Sequence, residues 1–491
     1  MKRNLLFIWL FCVFAQAQYT TPNNGQSFNL DQLAQIENSG VSLIEPGLYN
    51  LSQDLIIAAN DTLLINDELI WQINSDILVT VEGSFITSST PESPIYITAQ
   101  DAGFPNAGFR FEEGSVINLS YTIFEYGGGL RVLTEDFDMN YCEVKFQVAG
   151  ASTGAAVSFS RGNPVISNTY FYQNQLPAIS SGANQSVAIQ FIGNTLESNG
   201  LSNQNRPQIN LGPSGSEDSI LIEDNIITGD RNMDNVGGIA ISNFFGSVNN
   251  VVIKNNQITD NRYGLTLVGP VILAEIDGNT ISDNNSQGNP NLGGSGINLN
   301  ASGETISQSI FIKNNYISNN LWGITMQGNA YANLGDGTEL SPGGNTFSEN
   351  GFDGDVYALY NNTPNDIMAQ GNCWIAGAES TEGEVAEVIT DQSDIASLGL
   401  VDYSNFTCNL STNEFVISKK PKLYPNPAKD LIILEVESSG SVEFYNSLGQ
   451  LVLNTKLEAD KNEIKLNLSS GTYFLKINSK NSTSLEKLLI K

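Results

Sequence analysis

Asn256-Gln-Ile258-Thr-Asp-Asn261 and the next copy of the same phrase, Asn279-Thr-Ile281-Ser-Asp-Asn284, decide how this chain is read. Each sets a β-favouring hydrophobe two residues after a leading asparagine and a second asparagine five residues on. Asn194-Thr-Leu196-Glu-Ser-Asn199, Asn315-Tyr-Ile317-Ser-Asn-Asn320 and Asn345-Thr-Phe347-Ser-Glu-Asn350 repeat it. Asn168 and Asn225 open looser copies, and Asn372 opens one that stops at Cys373-Trp374. The leading asparagines are 26, 31, 31, 23, 36, 30 and 27 residues apart. Self-similarity near that period, with short strands on both sides of the asparagine, marks a stacked solenoid.

A second inward hydrophobe precedes each asparagine, as in Ile222-Glu-Asp-Asn225, Ile253-Lys-Asn-Asn256, Ile276-Asp-Gly-Asn279 and Ile312-Lys-Asn-Asn315. Coils stacked at the ~4.8 Å strand spacing would let buried asparagines bond along the stack. These residues resemble the right-handed parallel β-helix repeat of the pectin-lyase-like superfamily, over residues 40–410. The implied fold class is an all-β right-handed parallel β-helix solenoid followed by a small C-terminal β-sandwich. The fold hosts many functions, so the resemblance speaks to architecture.

Toward the N-terminus, strands are expected at 47–49, 55–57, 62–65, 77–81 and 95–98, separated by Gly, Asn, Asp and Pro. Residues 31–37 read as a short helix in a cap segment, 18–39, covering the open end of the solenoid. Residues 371–403 resemble the closing cap of bacterial β-helices. Loops are expected at 202–218, 285–295, 301–308 and 329–344, and insertions in solenoids tend to emerge on one face.

Lys2 and Arg3, the apolar run Leu5–Phe14 and Ala15-Gln-Ala17 have the pattern of a secretory leader, residues 1–17. No later apolar run is long enough for a transmembrane segment. Cys373 and Cys408 flank the last copy and are the expected disulfide in an oxidising compartment, with Cys142 left as an inward-facing thiol. Net charge is −30, but residues 419–491 carry 11 basic and 8 acidic residues, and residues 18–418 carry 9 against 44. A body that acidic repels nucleic acid, so no nucleic-acid partner is expected. The charge break also marks a domain boundary, with a linker at 411–421.

Beyond it, alternating strands and Gly turns read as a small β-sandwich, 422–491. Tyr424-Pro425-Asn426-Pro427, Asn446-Ser-Leu-Gly449-Gln450 and Leu468-Ser-Ser-Gly471-Thr-Tyr473-Phe resemble the type A C-terminal sorting domain of the type IX secretion system of Bacteroidetes. That resemblance implies the secretion machinery as a partner, and a secreted, extracellular or outer-membrane-surface location after leader and sorting domain are removed.

The chain has no histidine, which removes Ser-His-Asp and Cys-His nucleophile systems and His-ligated zinc. It lacks the Gly-His-Gly of β-helix polygalacturonases and the Arg-x-Pro-x-x-Arg of pectate lyases. Glu223, Lys254, Asp277 and Lys313 occupy one aligned position and are expected to form a surface ion-pair ladder. Asp260, Asp283, Asn319 and Glu349 align one position before the second asparagine. Together with Asp136, Asp138, Asp353 and Asp355 these acids are the candidate ligands for Ca2+, which takes carboxylate and amide oxygens. Asp336 with Glu339 forms a further acidic pair. Tyr263, Trp322 and Phe352 fall two residues after the second asparagine, and stacked rings of this kind suit the faces of sugar rings.

The expected role is glycan binding or adhesion outside the cell, with polysaccharide as the ligand class. The alternatives are a calcium-assisted polysaccharide lyase or hydrolase, and a structural surface protein without a small ligand. An enzyme requires a groove where the loops 202–218 and 329–344 bring a basic residue beside carboxylates. A binder requires an open face of aromatic and asparagine side chains.

Overall fold

A computed structural model describes residues 18–408 apart from 304, 305 and 378, and residues 421–490 apart from 425, 437, 447–449 and 480–482. The expected leader, nearly all of the linker, Pro425 and Gly449 lie outside the described residues. The chain divides into two units, Met1–Leu410 and Ser411–Lys491.

In the first unit, three long sheets contain 14, 14 and 13 strands. The first sheet runs from Gln18–Thr20 to Ile389–Thr390, the second from Ser27–Phe28 to Val401–Asp402, the third from Val41–Glu45 to Thr346–Ser348. Every coil visits them in turn. Ile239–Ser242, Asn249–Lys254 and Gln257–Thr259 are one coil, and Leu265–Val268 returns to the first sheet. Neighbouring strands are parallel throughout, apart from the opening pair of the third sheet. This is a parallel β-helix. The expected loops 202–218 and 329–344 are each crossed by a sheet strand, Ile209–Leu211 and Asn333–Gly335.

Third-sheet strands beyond residue 194 are three residues long, so only the middle side chain points inward. Leu196, Ile227, Ile258, Ile281, Ile317 and Phe347 stack there in register, all essentially inaccessible. The N-terminal coils fill the same interior with rings. Phe109 touches Trp71, Phe85, Phe111 and Phe124 at centroid distances of 6.1, 5.8, 6.0 and 5.6 Å.

Each border of the third sheet is a two-residue turn whose first residue is left-handed and whose second points inward. At the entry border, Asp224, Asn255 and Asn314 have φ of 57°, 55° and 55°; at the exit, Asp260, Asp283, Asn319 and Glu349 have 59°, 58°, 55° and 54°. Asparagine, aspartate and glycine tolerate that region best, which explains the local composition. The inward residues form two ladders. At the entry border the Asn256 side-chain amide donates to Asn279 Oδ1 at 2.9 Å and to the Ile222 carbonyl at 2.9 Å, while its backbone N–H donates to the same Oδ1 at 3.0 Å. The pattern holds from Asn194 to Asn372, so the amides of this ladder satisfy one another.

Asn168 is not part of that ladder. Register pairs Tyr170 with Thr195, which puts Thr169 opposite Asn194 and leaves Asn168 as the left-handed turn residue at φ 50°. Thr169 N–H donates to Asn194 Oδ1 at 2.9 Å, and Cys142 N–H to Thr169 Oγ1 at 3.3 Å. Cys142 is buried and free, as expected, and burial pushes its thiol up to about 12.

The exit-border ladder runs Asn174, Asn199, then Asn261, Asn284, Asn320 and Asn350. The coil between Asn199 and Asn261 makes an excursion over 229–238 and places no asparagine in this ladder; Asn232 and Asn235 of the excursion bond locally instead. Gln208 bridges the gap. Its Oε1 accepts from the Asn199 side chain at 3.0 Å, and its Nε2 donates to Asn261 Oδ1 at 3.0 Å and to the Thr228 carbonyl at 3.0 Å.

Both ends are closed. The first helix, Leu30–Gln35 (α1), is capped by Asn29 and Gln32 and buries Leu30 and Leu33. Asp61, 1% exposed, accepts the backbone N–H groups of Asn23, Asn24, Gly25 and Gln26 at 2.7–3.1 Å. At the far end, Glu382–Glu387 (α2) is capped by Thr381 and Glu384, and Asp391 accepts from the N–H groups of Ser393 and Val401. The Cys373–Cys408 disulfide is formed.

The second unit has a three-stranded sheet (Lys422–Tyr424, Leu431–Val436, Asp460–Lys465) and a four-stranded one (Gly440–Asn446, Leu451–Leu457, Gly471–Ser479, Thr483–Ile490), both antiparallel. Ile432, Leu434, Phe444, Leu475, Ile477 and Leu488 are among its core residues. Among the sorting-motif residues, Asn426 Oδ1 ties the two ends together by accepting the Leu489 N–H at 2.9 Å, and the Tyr473 hydroxyl closes a local turn by donating to the Ser469 carbonyl at 2.8 Å. Tyr424 donates to Glu435, and the Asn426–Pro427 peptide is cis.

Candidate functional site

On the first sheet, the residues alternating with the core run in register as Arg131, Ser158, Ser180, Asn210, Ala240, Thr266, Asn298, Thr325 and Tyr360. Nine coils pass with no carboxylate in this row, in a body with 44 acidic residues. Thr325 Oγ1 donates to Asn298 Oδ1 at 2.9 Å, and Asn298 Nδ2 to Thr266 Oγ1 at 2.7 Å, so these three side chains orient one another and Asn298 keeps one further N–H and lone pair.

A groove of about 480 Å³ lies over the last four of these coils. Thr266, Asn298, Thr325 and Tyr360 form its floor, with Gln327 and Asn362 beside them. Its wall is the turn from the third sheet back to the first: Asn205, Arg262, Tyr263, residues 290–293 and Trp322. Arg262 is the one charged lining residue. Its guanidinium donates to Asn205 Oδ1 and to the Leu292 carbonyl, while its buried Nε–H has no partner. The expected wall segment 329–344 contributes no lining residue; 285–295 takes that place.

Of the three aromatic candidates, Tyr263 and Trp322 line the groove. Tyr263 lies across Gly237, where a Cβ would meet its ring at 2.1 Å, and burial pushes its phenol up to about 12. The Trp322 indole N–H donates to the Pro290 carbonyl at 3.0 Å. Its ring stacks on Tyr360 at 5.3 Å with an interplanar angle of 18°. Phe352 does not reach the groove and packs behind Trp322, at 4.9 Å, and Tyr357, at 4.7 Å.

The repeat phrase did not reveal Tyr360 or Asn298, because first-sheet strands follow turns of very different length and asparagine spacing cannot align them. Their signal was the alternation in Ser295–Ala301 and Leu359–Asn362, visible once register is known. Arg262, directly after Asn261, and Asn205, in the turn before Ile209–Leu211, belong to no repeated pattern.

The candidate calcium ligands are scattered. Asp260, Asp283 and Glu349 are the left-handed turn residues of the exit border. Arg231 pairs with Asp260 at 2.9 Å and donates to the Asp283 carbonyl at 3.2 Å. Asp136 and Asp138 lie on the second sheet, where burial raises the Asp138 carboxyl. Asp353 and Asp355 are exposed at the hairpin Gly351–Val356. Asp336 caps its own turn through Thr338 and Asn333. Among the described residues no three acidic or cysteine side chains converge as a metal-binding set.

Glu223, Lys254, Asp277 and Lys313 do align in neighbouring strands. The cation partner is mainly Glu275, however, at 3.4 Å from Lys254 and 3.0 Å from Lys313. Burial would raise the Glu275 carboxyl, but the two lysines outweigh it and hold it below its ordinary value. These lysines are structural ion-pair partners on the second sheet, away from the groove.

Residues 422–491 match the secretion system C-terminal sorting domain family. Residues 268–377, which include most of the groove, match a family of proteins of unknown function, DUF1565. No curated protein sequence matches the chain. Among solved structures, the periplasmic alginate epimerase AlgG aligns at 12% identity, covering 78% of this chain and 83% of that one, with a TM-score of 0.43. A double mutant of the same epimerase aligns at 12% identity over 71% and 80%, with a TM-score of 0.45. Among the described residues no helix is long and apolar enough to cross a membrane. The chain is a parallel β-helix protein carrying a type IX secretion sorting domain, which marks it for export.

Proposed function

We propose that the exported β-helix binds glycan, acting as a surface or released adhesin, with the ligand held in the groove of the first sheet. One observation carries the reading: a groove lined by aromatic, amide and hydroxyl side chains, without a carboxylate, in an otherwise strongly acidic body. Trp322 and Tyr360 offer ring surface for the apolar face of a sugar, while Asn298, Gln327, Asn362 and Ser295 offer donors and acceptors for its hydroxyls. General acid–base cleavage needs a proton donor and acceptor beside the scissile bond, usually a pair of carboxylates. Arg262 has no carboxylate beside it among the groove-lining residues, which favours binding over turnover. The reading asks no cation of the groove; calcium is assigned at most to the acidic turn faces outside it.

The test uses the purified chain with neutral and acidic polysaccharides, each with calcium or with chelator. Retention is measured by pull-down, and turnover by new reducing ends and by absorbance of unsaturated products. Retention without product, lost in Tyr360→Ala, is the expected outcome. Product formation overturns the binding reading in favour of a lyase or hydrolase. Loss of retention with chelator would bring calcium into the site.

A further inference from the structure

Residues 18–418 contain nine basic side chains. Six of them, Arg110, Lys145, Arg161, Arg231, Lys254 and Lys313, have a carboxylate within 4.0 Å. The other three, Arg131, Arg206 and Arg262, have no such partner among the described residues. They stay uncompensated although the same stretch carries 44 acidic residues. These three belong to one face. Arg131 is in the carboxylate-free row, donating to Ser158 Oγ at 3.4 Å and to Ser160 Oγ at 2.8 Å. Arg206 is in the turn that returns to the first sheet, and donates to the Thr153 carbonyl at 3.4 Å, in the turn leading to the Ser158 strand. Its neighbour Asn205 holds Arg262 at the groove wall. Five coil steps separate the Arg131 strand from the Thr266 strand that follows Arg262, roughly 24 Å at the strand spacing.

Resting on the glycan-binding reading, we infer that Arg131, Arg206 and Arg262 form an anion-selecting track running from the groove along the first sheet, and that the ligand is a polymer carrying repeated carboxylate or sulfate groups. Neutral serine and backbone acceptors position the guanidinium groups without neutralising them, leaving N–H donors for a planar or tetrahedral anion. The surrounding acidic body supplies the selectivity. An anionic chain is repelled everywhere except along this strip, which fixes its path, while a neutral chain gains nothing from the arginines.

The test measures binding of the whole chain to two backbones in neutral and charged form: dextran against carboxymethyl-dextran and dextran sulfate, and hydroxyethyl-cellulose against carboxymethyl-cellulose. Variants are Arg131→Gln, Arg206→Gln and Arg262→Gln, with ion-paired Arg161→Gln as the control and circular dichroism to check the fold. The expected result is at least tenfold tighter binding of a charged form. Each of the three substitutions should remove roughly three- to tenfold of it and flatten its salt dependence, while Arg161→Gln should leave it unchanged. Neutral and charged forms bound alike would overturn the track and leave the glycan reading standing. Charged binding that ignores the three substitutions, or falls equally in the control, also overturns it. No binding to any polymer overturns both.

Discussion

The N-terminal and C-terminal halves of the β-helix solve one backbone problem with two chemistries. Up to about residue 190, rings such as Trp71, Phe85, Phe109, Phe137 and Phe159 fill the interior. There the left-handed turn positions hold Tyr121, Tyr126, Tyr141 and Phe146, with φ of 46–56°. Tyr121 and Tyr141 stack at 5.1 Å, and Tyr126 and Phe146 at 5.0 Å. Beyond residue 190, stacked aliphatic side chains, most of them isoleucine, fill the interior, left-handed third-sheet border positions hold Asn, Asp or Gly except at Ser198 and Glu349, and the inward turn residue is asparagine except where Gln208 bridges. The contrast teaches that coil closure needs a tolerated left-handed residue and a satisfied inward neighbour. Bulky rings meet the first demand only with help from stacking, since αL is costly for them. Asparagine ladders meet both by hydrogen bonding, and the groove is built in that second half.

Substitutions sharpen this contrast. Phe109→Ala removes the ring at the centre of the N-terminal cluster, and its loss is expected to cost about 4 kcal/mol, read as a lower denaturation midpoint. An effect below ~1 kcal/mol would mean that the rings are filler. In the other half, Asn279→Ala strips the acceptor from the Asn256 backbone and side-chain N–H groups and the donor from the Ile253 carbonyl. We expect about 3 kcal/mol, with faster hydrogen exchange confined to adjacent coils. Uniform exchange along the helix would contradict a nearest-neighbour ladder.

Asp61→Asn should cost about 2 kcal/mol at neutral pH and loosen residues 23–26. Burial would raise the Asp61 carboxyl, but the Thr21 hydroxyl and the backbone N–H groups of Asn23, Gln26 and Asn24 outweigh it and hold it low. A carboxyl whose folded pKa lies below the unfolded ~3.9 stabilises above that value and loses the contribution as pH falls through the folded pKa. The wild-type advantage should therefore shrink as pH falls below about 4; an advantage that does not shrink in acid would refute the clamp. Smallest in stability is Tyr360→Ala, expected within ~1 kcal/mol of wild type yet weakening glycan retention about tenfold.

The same contrast explains what could be read from the chain. Asparagine repeats gave the coil path beyond residue 190, because a hydrogen-bonded ladder tolerates almost no other residue. Rings in the earlier coils left no such trace, and the strands Ile70–Ile73 and Ser84–Thr87 were not anticipated. Asn168 misled by one position because the turn residue and the ladder residue favour the same side chain. The aligned acids Asp260 and Asp283 stand at left-handed turn positions, which favour aspartate whether or not a cation binds there. Tyr263 and Trp322 were found because they keep a fixed distance from the exit ladder. Tyr360, Asn298 and Arg131 belong to the sheet that follows turns of variable length, so only the register reveals them.

Gln208 carries a consequence for how such a molecule changes over generations. By reaching across a coil that places no asparagine in the exit ladder, one longer amide lets the 229–238 excursion exist without breaking that ladder. Loop length beside the groove is thereby uncoupled from the integrity of the stack. The excursion there can change in length while the scaffold stays as it is.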